Sequence, residues 1–264
     1  MSCVPVLLYH HVAPDREVTP EGFEGQMAKL REDGWRCLTA AELEGHLSGA
    51  APAPERSLII TIDDGYADAW VYAYPSLRRH GMRAILFVVT SRVRDGAAPR
   101  ATCEEGGSLL DTRQDERGPE GFLNWAELRA MAESGVVEVG SHTHTHAGFV
   151  DGADYGDIAM EFDRSKVEIE MRIPSWSGVL AWPWGRWRED WIKEAKAAGY
   201  RLAFTTQVGP NLPGTSPFRV QRCKVQNDDI SWLESRLWLY GHPLIAAAYS
   251  RIYGLDRKIK DITK

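Results

Sequence analysis

The chain has no apolar run approaching the roughly 18 residues that a membrane span needs. Its N-terminus, "MSCVPVLLYHHV", has an apolar run of only six residues and no basic segment before it, so it reads as a first strand and not as a signal peptide. A cytoplasmic location is the expectation, with peripheral membrane contact as the alternative. Four cysteines, Cys3, Cys37, Cys103 and Cys223, are far apart and form no CxxC, which argues for isolated thiols over a disulfide framework or a thiolate metal site. Positive charge is not in excess: the net charge is -6, which disfavours broad nucleic-acid binding but is silent about a neutral polysaccharide. No glycine-rich nucleotide fingerprint follows an early strand, and no internal repeat is present.

What is present is one long alternation. The 264 residues are 44% hydrophobic, enough for a single substantial core. Apolar runs rich in Val, Ile and Leu stand at 4–10, 57–63, 83–89, 136–142, 178–183, 202–206 and 218–225. Their near-continuous apolar character suits parallel strands covered on both faces. Helices fit between them. Thr19 caps one with Pro20 at its first position and Phe23, Met27 and Leu30 along one face; "TAAE" (39–42) and "NWAE" (124–127) read as capping boxes; "REDWIKEAKAAGY" (188–200) is stopped by Gly199. Seven strand-like runs alternating with helices predict an α/β barrel, with an open doubly wound sheet as the alternative. Residues 92–121 are charged, glycine-rich and poor in core residues: a long loop, disordered or a lid beside a site. The expected division is a catalytic domain over 1–237 and, over 238–264, an amphipathic extension with a basic end, packed on or beside the barrel.

In such folds functional residues gather at the C-terminal ends of strands. Those ends carry Tyr9-His10-His11, Asp63-Asp64-Gly65, Ser141-His142 and Trp182-Pro183-Trp184-Gly185, and the last run holds Arg222. Two adjacent acids after an apolar strand are costly there unless ligated or hydrogen-bonded, although an Asp-Asp-Gly turn is the plain alternative. "GSHTHTH" offers His142, His144 and His146. A strand would put all three on one face, whereas a helix or turn would bring together only His142 and His146. Two histidines four apart and one carboxylate make a three-ligand site with an open position, as catalytic zinc requires. The zinc-protease helix is excluded, because Thr143 stands where it needs Glu.

"TIDDG" (61–65), "SHTHTH" (141–146) and "AWPWG" (181–185), in this order at predicted strand ends, resemble the three motifs of the polysaccharide deacetylases of carbohydrate esterase family 4, the NodB homology domain. The resemblance runs from about Pro5 to about Leu237. It implies a deformed (β/α)7 barrel that removes N-acetyl groups from a sugar or polysaccharide by a metal-activated water, releasing acetate. Asp63 would be the base. Asp64, His142 and His146 would bind a divalent metal, most often zinc, with Co, Ni, Fe or Mn as substitutes. The backbone N–H near Trp184 would help hold the oxyanion.

Two family features depart from the pattern. The usual arginine of the third motif falls on Ala181, and the late Leu-x-His motif has no clear counterpart. "LLYHHV" and "VQRCKV" resemble the poly-N-acetylglucosamine deacetylase branch instead. There His10, or less favourably His11, would supply the acid, and Arg222, with Arg219 as fallback, would orient Asp63. Trp182, Trp184 and Trp187, with Tyr66, are candidates for contact with a sugar; for the tryptophans core filling is the competing reading. An N-acetylated glycan is thus the expected partner. The rival readings are an O-acetyl esterase, a non-sugar amide hydrolase on the same fold, and an inactive carbohydrate-binding barrel.

Overall fold

In the computed structural model, residues 3–96, 98–109, 118–147, 157–173, 175–249 and 251–252 are described. Strands β1 (Val6–Tyr9), β3 (Ser57–Ile62), β4 (Ala84–Val88), β5 (Val137–Ser141), β6 (Val179–Ala181), β7 (Leu202–Phe204) and β8 (Cys223–Lys224) pair only in parallel, in the order β7-β6-β5-β4-β3-β1-β8. A parallel bridge from Phe204 to Val220 and a hydrogen bond from Thr205 N to Val220 O at 2.8 Å bring β7 to the chain leading into β8. The ring is therefore closed by the segment 218–225, and the deformed barrel expected from the sequence is present. One strand was not foreseen: β2 (Arg36–Cys37) pairs with β3 outside the main order. Two partly exposed residues carry no periodic signal.

The strands read as apolar runs because both faces are buried, with alternate residues in different layers. Val6, Ile59, Ile85, Phe87, Val179, Leu202 and Phe204 form the barrel interior. Helix α2 (Ala40–Ser48) packs Leu43 and Leu47 into that cluster. Leu7, Tyr9, Ile60, Leu86 and Val139 face outward, onto α1 (Pro20–Glu32), α3 (Tyr74–His80) and α4 (Trp125–Glu133). The predicted caps are in place: Thr19 accepts from Gly22 N, and Thr39 with Glu42 and Asn124 with Glu127 form capping boxes. Such caps each contribute about 1 kcal/mol. Helix α5 (Ile158–Arg172) and α6 (Glu189–Ala197) cover β5 to β7. Helix α7 (Ile230–Gly241) runs across position 237, and Leu237, Tyr240 and Ala246 are buried in the main core. Residues 253–264, the basic end of the chain, lie outside the described residues. Among the described residues no helix is long and apolar enough to cross a membrane.

Candidate active site

The ends of β1, β3, β5 and β6 and the chain before β8 deliver the site. After β3, Asp63 is buried at 2% exposure, and its carboxylate accepts two hydrogen bonds from Arg222, Nη1 to Oδ1 at 2.7 Å and Nη2 to Oδ2 at 2.8 Å. Arg222 is itself fixed by Nε donating to Thr205 O at 2.7 Å and Nη1 to Thr61 Oγ1 at 3.2 Å. Burial acts to raise the pKa of Asp63, but the Arg222 and His142 charges outweigh it and hold the carboxyl below its ordinary value. Arg219 lies elsewhere: it pairs with Glu189 and covers the Trp187 ring at 3.9 Å.

Asp64 turns the other way because its backbone is left-handed, φ 75°, as is that of Gly65, φ 75°. A side chain on Gly65 would be strained in this conformation and would press Val88 at 3.2 Å. Asp64 Oδ1 lies 3.6 Å from His142 Nε2 and 3.6 Å from His146 Nε2. The strand stops at Ser141, and Thr143 (φ 65°) and His146 (φ 58°) curl the chain into a turn that brings the two rings to 4.6 Å. His144 turns away, its Nδ1 2.9 Å from Thr90 Oγ1 and 3.8 Å from Glu168. His142 Nδ1 donates to Ala181 O at 2.8 Å, which leaves Nε2 as the ring nitrogen directed at Asp64. Burial, followed by the nearby His142, lowers the His146 pKa to about 4, which favours the neutral ring. One carboxylate and two imidazoles, with ligand atoms within 4.8 Å of one another, fit a divalent ion of the zinc type.

His10 follows β1 and lines a cleft of about 190 Å³ with His11, Asp64, Tyr66, Lys224 and Gln226. Its Nδ1 is buried with no partner among the described residues. Burial lowers its pKa against the opposing pull of Asp63 and Asp64. His11 is committed differently, with Nδ1 2.6 Å from the buried Asp68 and its ring on Tyr66 at 3.9 Å. A larger groove of about 720 Å³, lined by Trp35, Arg56 and Trp238 among others, lies where strands begin, away from the carboxylates.

The aromatic candidates separate by burial. Trp182 is a correction: at 1% exposure, with Nε1 donating to Phe218 O at 3.0 Å, it fills the core and offers no face to a sugar. Trp187 is half-buried and covered on its ring by Arg219. Trp184 alone stands at the site, 62% exposed and 5.3 Å from the His146 ring. It sits in a 3-10 turn (Pro183–Gly185) at φ 59°, a strained conformation for a bulky residue. Gly185 follows at φ 70°, where any Cβ would lie 2.1 Å from Thr206 Oγ1.

The 92–121 stretch is partly ordered against the barrel. Arg100 donates to Glu127 at 2.6 Å, to Glu120 O at 2.9 Å and to Phe122 O at 2.8 Å, and Arg78 and Arg79 hold Glu104 at 2.6 Å each. Residues 110–117 lie outside the described residues. The antiparallel bridge between Tyr66 and Phe122 joins this stretch to the segment after Asp64. Sequence reasoning missed that pairing; the buried Glu127 of a capping box was the one local trace of it.

Fold and site define a class: a parallel α/β barrel with an arginine-bound carboxylate beside a carboxylate–imidazole cluster at the strand ends. The chain belongs to the polysaccharide deacetylase family, which matches residues 50–203. It is 26% identical over 224 residues to YxkH of Bacillus subtilis, covering 84% of this chain and 71% of that one. It is 28% identical over 216 residues to the poly-beta-1,6-N-acetyl-D-glucosamine N-deacetylase of Escherichia coli (strain K12), covering 70% of this chain but only 30% of that protein's length. Among solved structures it is similar to IcaB from Ammonifex degensii, with a TM-score of 0.72 and 25% identity over 90% of this chain and 97% of that one.

Proposed function

We propose that this chain is a metal-dependent N-deacetylase that hydrolyses acetamido groups of an N-acetylglucosamine-containing glycan to a free amine and acetate. The observation that carries the reading is the division of labour between neighbours: Asp64 joins His142 and His146, while Asp63 is held out of that trio by Arg222. Asp64, His142 and His146 would hold a divalent ion, which when bound would supply Lewis acidity toward the acetyl carbonyl and the attacking water. Asp63, ionised by Arg222, accepts the proton of the attacking water. The backbone N–H of Trp184 donates to the oxygen on which negative charge develops. His10, which lines the same cleft as Asp64, delivers a proton to the departing nitrogen. The products balance: water and the amide give the amine and acetate.

The test is acetate release from a β-1,6-linked N-acetylglucosamine oligomer by zinc- or cobalt-loaded protein. The reading fails if the protein binds no divalent ion, or if Asp63→Asn retains full release. Release from O-acetylated but not N-acetylated sugars would replace it with an esterase.

A further inference from the structure

The Tyr66 ring is sandwiched. His11 stacks on it at 3.9 Å with 25° between planes, and Phe122 stacks on it at 5.2 Å, also at 25°. Both stacking partners occupy ring faces of Tyr66, and the residue lines the cleft that holds His10 and Asp64. Three buried tyrosine hydroxyls are engaged within the fold: Tyr9 donates to Gln26 at 2.8 Å, Tyr200 donates to Phe162 O at 3.1 Å, and Tyr72 accepts from Leu109 N at 3.0 Å. The Tyr66 hydroxyl has no hydrogen-bond partner among the described residues.

We propose that Tyr66 is a specificity-determining residue that recognises the glycan edge-on, its hydroxyl hydrogen-bonding a sugar hydroxyl, and that His11, Phe122 and Arg100 are positioning residues for it. This rests on the glycan reading above. A phenol both donates and accepts, which suits a sugar hydroxyl. The sandwich fixes its direction before substrate arrives, so little ordering remains at binding. Each side of the sandwich is anchored. His11 is held by Asp68, which is 1% exposed. Phe122 is held by Ala67 N donating to Gly121 O at 2.8 Å, Leu123 N to Gly65 O at 3.0 Å, and Arg100 to Phe122 O. Arg100 is in turn locked by Glu127, which is fully buried.

Tyr66→Phe keeps the stack and removes only the hydroxyl. With metal-loaded protein and a β-1,6-linked N-acetylglucosamine tetramer, KM should rise about tenfold, with kcat within about twofold of wild type. Calorimetric affinity for the deacetylated tetramer should fall by the same factor, and hydrolysis of 4-nitrophenyl acetate should not change. Arg100→Ala should raise KM similarly without loss of metal, and Arg100→Lys should recover part of the difference. A wild type active on the tetramer with KM and affinity unchanged in Tyr66→Phe overturns the inference alone. A wild type that releases no acetate from the tetramer overturns the functional reading, and this inference falls with it.

Discussion

Arg222 and Asp63 stand 159 residues apart in the chain and meet in a two-pronged ion pair with both side chains almost wholly out of solvent. The guanidinium approaches from the segment that closes the barrel and engages both carboxylate oxygens, with Asp63 Oδ2 still 3.8 Å from His142 Nε2.

Removing Arg222 should do more than slow the enzyme. Arg222→Met leaves Asp63 buried and unpaired, which should cost about 3–5 kcal/mol of folding stability by urea denaturation. The Asp63 pKa lies below its unfolded value, so the pair contributes stability above about pH 4 and loses it as pH falls through the lower folded value. In the variant burial is opposed only by the neighbouring histidines, so the acid limb of the pH–rate profile should move upward.

Metal content should separate the three histidines. After dialysis against a weak chelator, His142→Ala and His146→Ala should lose most bound zinc by elemental analysis. His144→Ala, whose ring faces Thr90 and Glu168, should stay near wild type.

Asp63→Asn tests chemistry apart from metal. It should keep its zinc, because Asp64 and the histidines are untouched, and lose about 10²–10⁴ in kcat. Loss of zinc together with activity would assign Asp63 to the metal instead.

The two tryptophans of the third motif should fail in opposite ways. Trp182→Ala should lower stability by about 3–5 kcal/mol, since the side chain is wholly buried. Trp184→Gly relieves a left-handed backbone and should leave Tm level or higher while raising KM for the glycan.

The boundary expected at 237 falls inside α7, and Tyr240 and Ala246 beyond it are buried in the main core. Ending the chain at 237 removes the buried Tyr240 and Ala246 and cuts α7 in its last turns, so Tm should drop in a thermal melt.

Much of this was legible locally. Apolar runs marked the strands because burial on both faces removes polar residues, and Thr19, Thr39 and Asn124 marked helix starts because a cap needs only its own neighbours. Asp64 and the histidine turn could be read from short motifs at strand ends. What was not legible depended on distant pairing. Trp182 and Trp184 are two residues apart with the same side chain, and only the left-handed turn after β6 sends one inward and the other out. The stack of His11, Tyr66 and Phe122 joins three separate segments with no shared period. Strand β2 is too short to have a pattern.

The arginine that holds Asp63 arrives with the segment that closes the ring. Until that segment docks between β7 and β1, the Asp63 carboxylate has no guanidinium beside it. On the proposed function, a protein nicked before that segment would keep the Asp64, His142 and His146 cluster yet gain hydrolytic power only when the ring closes.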